Sequence, residues 1–82
     1  MKISDMKGLG PKTSERLAVV GIHTSEKLEE TGAVGAYRLL KDAFPELVTL
    51  NALWGMQAAL MEIDWRELPE AVKQQLIDEL DN

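Results

Sequence analysis

The residues whose types and spacing can do chemistry lie together near the start of the chain, in Lys7-Gly8-Leu9-Gly10-Pro11-Lys12-Thr13-Ser14-Glu15-Arg16. Two glycines around one apolar residue permit a very tight reversal, since both accept positive φ and Leu9 can tuck inward. Pro11 suits the first position of a helix, where its missing N–H costs nothing. A glycine turn feeding a helix N-terminus leaves main-chain N–H groups pointing outward at the positive end of the helix dipole. A phosphate oxygen fits there. The expected donors are the N–H groups of Leu9, Gly10, Lys12 and Thr13, next to Gly8, with Lys7, Lys12 and Arg16 supplying positive charge. Such contacts position a nucleic-acid backbone without reading bases, so the affinity should be weak, independent of sequence and lowered by salt. The same glycines would serve a plain helical connection by sterics alone, and elements of this kind also dock proteins or only hold architecture.

The other reactive side chains assemble no reaction. His23 is the only imidazole, and no nucleophile or orienting carboxylate is identifiable for it, so it reads as a turn residue. Glu29-Glu30, Glu67 with Glu70, and Asp78-Glu79 read as solvated faces, because adjacent helical positions point about 100° apart. Asp78, Glu79 and Asp81 are too loose a grouping to expect a divalent ion. Gly8-Leu9-Gly10-Pro11-Lys12 lacks both the spacing and the preceding strand of a nucleotide-binding P-loop. No catalysis, metal or cofactor is therefore expected.

The elements that must position the glycine turn are helical. Apolar spacings of three and four recur, while strict alternation is absent over any window of six or more, which predicts an all-α chain. Ile3 and Met6 mark a first short turn ending at Gly8, and a second helix runs from Pro11 to about Val20, stopped by Gly21. These two segments, about residues 3–20, form a helix-hairpin-helix pattern, with Ser14 small enough to let them approach closely. Thr24 is the N-cap of a third, two-turn helix with Glu26 near its positive end, and Gly32 is its left-handed terminus. A fourth helix, 33–44, places Ala36, Tyr37, Leu40, Ala43 and Phe44 on one face and ends at Pro45. The fifth, 50–63, is apolar around most of its circumference and is the expected spine of the core. Asp64 and Glu67 cap a single-turn connector, and Pro69 opens a last helix to about Leu80 whose acidic end should fray. Of the four aromatics, Tyr37, Phe44 and Trp54 are expected inside, with Trp65 the least so. Arg38 and Lys41 either extend the basic patch or are plain surface.

Composition bounds this reading. Eighty-two residues with 28 % charged and 45 % hydrophobic side chains suit one soluble domain, 1–82, a compact bundle of five or six short helices. The absent cysteines fit a reducing cytoplasm, and no apolar stretch serves as a signal peptide or a span, so no membrane partner is expected. The net charge of −5 is uneven, +2 over residues 1–41 and −7 over residues 42–82. Nucleic acid would therefore have to be met by the N-terminal end, while the acidic half suits solvent or a basic protein.

The hairpin stretch, continued through Gly21-Ile22-His23-Thr24-Ser25-Glu26-Lys27-Leu28 and Gly32-Ala33-Val34-Gly35-Ala36-Tyr37-Arg38, then Leu50-Asn51-Ala52-Leu53-Trp54-Gly55-Met56 and Trp65-Arg66-Glu67-Leu68-Pro69, resembles the C-terminal domain of the TfoX/Sxy competence regulators. The likeness covers about residues 6–80, and the segments at 32–38 and 65–69 carry it best, since a generic hairpin explains neither. The first half is more loosely similar to the C-terminal domain of the bacterial RNA polymerase α subunit. The TfoX resemblance implies a non-enzymatic regulatory role in bacterial natural transformation, with no catalytic residues to transfer. In that family the domain often follows an N-terminal domain of different fold, so the chain is expected to be either an excised piece or a stand-alone member. Two functions compete: a weak DNA phosphate contact through the hairpin, or a protein-interaction module docking on a transcription activator, on RNA polymerase or on a second copy of itself.

Overall fold

Thr24 shows how local sequence starts an element: its side-chain oxygen accepts the Lys27 N–H at 3.1 Å, the bond that defines a helix N-cap. The structure, a computed structural model, describes residues 1–6 and 8–81. Five helices follow in order, α1 (Pro11–Val19), α2 (Ser25–Thr31), α3 (Ala33–Ala43), α4 (Leu50–Met61) and α5 (Glu70–Asp81), with 3-10 turns at Ile3–Asp5 and Trp65–Glu67. The class is all-α, and the described residues form no strand. The first arm of the glycine turn is thus a single 3-10 turn. It is held by the loop after α1, where the Ile3 N–H donates to the His23 carbonyl and the Ser25 N–H to that of Met1, both at 2.9 Å.

The terminal amine of Met1 donates to both carboxylate oxygens of Glu26, at 2.7 and 3.1 Å. This bond, with smaller help from the Glu26 main chain and the Ser25 hydroxyl, holds the Glu26 carboxyl below the usual range. A depressed folded-state pKa adds stability above the unfolded-state value, and that gain is lost as pH falls through the folded value. An NMR titration of the Glu26 carboxyl should therefore show a midpoint below that of an exposed glutamate, and Glu26→Gln should remove that part of the acid sensitivity.

The core gathers around α4, whose Leu53, Met56, Ala58 and Ala59 are buried. Leu17 of α1, Ile22, Leu28 of α2 and Leu40 of α3 are sealed in the same core cluster. The predicted apolar helix is a central one, with Leu50 and Met61 exposed only at its two ends. It stops at Glu62, which takes the left-handed conformation with φ 59°. Asp64 then accepts the Arg66 N–H at 2.9 Å and caps the second 3-10 turn.

Several details differ from the sequence reading, among them Gly32, whose φ 80° and ψ 156° lie outside the left-handed helical region. Pro69 lies one residue ahead of α5, and its carbonyl accepts the N–H groups of Val72 and Lys73, so it acts as the entry residue. The acidic end of α5 continues as helix to Asp81, because the Arg38 guanidinium donates to the carbonyls of Glu79 at 2.8 Å and Leu80 at 3.4 Å. A cation at the negative helix end offsets the neighbouring carboxylates. Lys41 likewise spends its ammonium on the carbonyls of Pro45 and Val48, at 2.9 and 2.8 Å, bracing the α3–α4 loop. Among the described residues no helix is long and apolar enough to cross a membrane.

Candidate functional site

The turn at Gly8-Leu9-Gly10 sits against α4 where Gly55 has no side chain, with the Gly8 carbonyl 3.9 Å from the point a Gly55 Cβ would occupy. Gly8 needs to be glycine, since its φ is +95°. Gly10 has φ −73° and open space around it, so neither backbone strain nor packing explains the missing side chain there.

Between the turn and the start of α4 lies a cleft of about 350 Å³. One wall is Gly8, Leu9, Gly10, Thr13 and Arg16; the other is Leu47, Thr49, Asn51, Ala52, Gly55 and Trp65. The structure therefore brings five of the sequence-derived site residues to one place. Lys12 is exposed but outside the lining, and Lys7 lies outside the described residues. The opposite wall was not anticipated from sequence. Its signal was Thr49, an N-cap residue type immediately before the apolar helix.

The predicted donors differ in what they bind. The Leu9 N–H is directed at the Met6 carbonyl, at a long 3.4 Å. The Gly10 carbonyl accepts both the N–H and the hydroxyl of Ser14, at 3.1 and 3.2 Å, so Ser14 fastens the turn to α1 as well as being small. The N–H groups of Gly10, Lys12 and Thr13 have no acceptor among the described residues. Across the cleft the same is true of Leu50 and Asn51 at the start of α4, where Thr49 makes no side-chain cap bond. Two positive helix ends therefore border one cleft.

Among the described residues Arg16 is the only charged one in the lining, and no carboxylate is with it. Beside the cleft, Asp64 binds the Arg66 guanidinium through two bonds of 3.1 and 3.0 Å, which raises the Arg66 pKa above its ordinary value and neutralises the carboxylate next to Trp65. Among the described residues no three acidic or histidine side chains converge as a metal site.

The family model of the TfoX C-terminal domain matches residues 1–80. The chain belongs to that family. Membership makes it a competence-regulator-like module, of a regulatory type of domain. No curated protein matches the chain. The crystal structure of an uncharacterized protein from Listeria monocytogenes shares the fold, with a TM-score of 0.86 at 23 % identity, over 94 % of this chain and 86 % of that one. In this TfoX C-terminal domain the two segments that carry the family likeness have visible work. The segment at 32–38 buries Ala33, Ala36 and Tyr37 and provides the Arg38 clasp on α5; the segment at 65–69 presents Trp65 to the cleft and buries Leu68.

Proposed function

We propose that this regulatory domain holds DNA by its phosphates, in the cleft between the glycine turn of a helix-hairpin-helix element and the start of α4. One observation supports the reading above the rest: main-chain donors of Gly10 and Thr13 without acceptors, beside Arg16, in a cleft lined by no carboxylate among the described residues, on a chain of net charge −5. An anion is the ligand such a place favours, since helix-end N–H groups and one guanidinium would otherwise face each other unpaired. The donors are main-chain, so recognition is of the backbone and not of base sequence. The module then contributes a non-specific anchoring contact to a regulator, with no catalytic step.

A site this small engages two or three phosphates, so log affinity should fall with log salt with a slope of about −2 to −3. Fluorescence anisotropy of a labelled short duplex across a potassium chloride series measures it. Lys12→Glu/Arg16→Glu should cut affinity at least about tenfold at low salt and flatten the slope by about two. Duplex binding that ignores the double reversal, or is absent at low salt, overturns the proposal. The competing reading, docking on an activator, on polymerase or on a second copy, draws on the apolar girth of α4. Most of that girth is spent on the core, which favours the phosphate contact.

A further inference from the structure

The wall facing the glycine turn is not what a duplex backbone needs. Trp65 is 51 % exposed and Leu47 60 % exposed, two large apolar side chains left to water in a cleft whose other wall is main-chain donors and Arg16. In a duplex the bases are stacked inside, out of reach of an indole at the phosphate level. In an unpaired strand each base offers a free face, and aromatic side chains beside a cationic groove are how such strands are held.

We infer that the cleft takes single-stranded DNA, with one base stacked on Trp65 and its phosphate at the Gly10 and Thr13 N–H groups and Arg16. This rests on the phosphate reading and names the form of DNA it prefers. Trp65 is the aromatic free to do it. Tyr37 is buried, Phe44 packs on the core, and Trp54 packs there too, with the Lys73 ammonium 5.8 Å from its ring centroid. The 3-10 turn carrying Trp65 is pinned by the Asp64 bonds to the Arg66 N–H and guanidinium, so the ring is presented from an ordered support and its neighbouring carboxylate is already paired. The cleft, at about 350 Å³, has room for a single nucleotide unit, at the small end of the ~300–1,000 Å³ range of ligand clefts.

The test compares labelled oligo(dT) with a duplex of equal length at low salt, using the wild-type domain, Trp65→Ala, Trp65→Phe and Lys12→Glu/Arg16→Glu, each first shown folded by circular dichroism. The single strand should bind at least about fivefold tighter than the duplex and quench tryptophan fluorescence. Trp65→Ala should bring single-strand binding down to the duplex level, while Trp65→Phe keeps most of the advantage. Duplex binding that depends on Lys12 and Arg16, with no preference for the single strand or none that depends on Trp65, overturns this inference and leaves the phosphate contact standing. A loss of both ligands together in Trp65→Ala overturns it as well. If neither ligand binds the wild type, both readings fall at once.

Discussion

Leu53→Ala is expected to lower the unfolding free energy by about 2–5 kcal/mol, because the truncated side chain leaves a cavity where the central helix meets the others. Leu53, one turn into α4, is 0 % exposed, and Leu17, Leu28 and Leu40 of the other helices in its core cluster are as well sealed. For a domain of this size such a loss is a large part of a total stability of roughly 5–10 kcal/mol, and Tm should fall by roughly 10 °C or more. Leu50→Ala, three residues earlier on the same helix, should cost about 1 kcal/mol or less, since Leu50 is 41 % exposed. Thermal and denaturant melts followed by circular dichroism read both. Equal losses at the two positions would contradict the burial pattern.

Gly32→Ala should cost about 1–3 kcal/mol with no change in packing. Gly32 is at once the last cap of α2 and the first of α3, with φ 80° and ψ 156°. That is a region of backbone space essentially closed to residues with a side chain, distinct from the left-handed helical region the sequence predicts for a helix terminus. A Cβ at Gly32 would meet nothing within 4 Å, so the cost is conformational alone. Gly10→Ala is the contrasting case. Its φ is ordinary and its surroundings open, so the stability change should stay within about 0.5 kcal/mol, the smaller unfolded-state freedom offsetting a poorer N-cap. Denaturant midpoints at constant m-value separate the two.

Much of the fold was legible because its signals are local. Pro11, Thr24, Gly32 and Pro45 mark helix boundaries through their own backbone and side-chain chemistry, which acts within a few residues. The period of apolar residues placed α4 at the centre for the same reason. The long-range partners were not legible. Arg38 lies 41 residues from the Glu79 carbonyl it binds, and nothing in the charge of an arginine tells whether it meets a phosphate, solvent or the end of its own last helix. Only half of the candidate site could be read from the chain, the half made of consecutive residues.

By itself the sequence determined the helical class, the order and approximate ends of the helices, the family likeness and the place of the glycine turn. These follow from propensity, capping and periodicity, which need no knowledge of what lies across the core. The tertiary structure alone decided which N–H groups lack acceptors, which cations are already spent on carbonyls, and that Leu47, Thr49 and Trp65 face the turn. Those are outcomes of helices meeting in space, where each donor finds whichever acceptor the packing of α4 brings within reach.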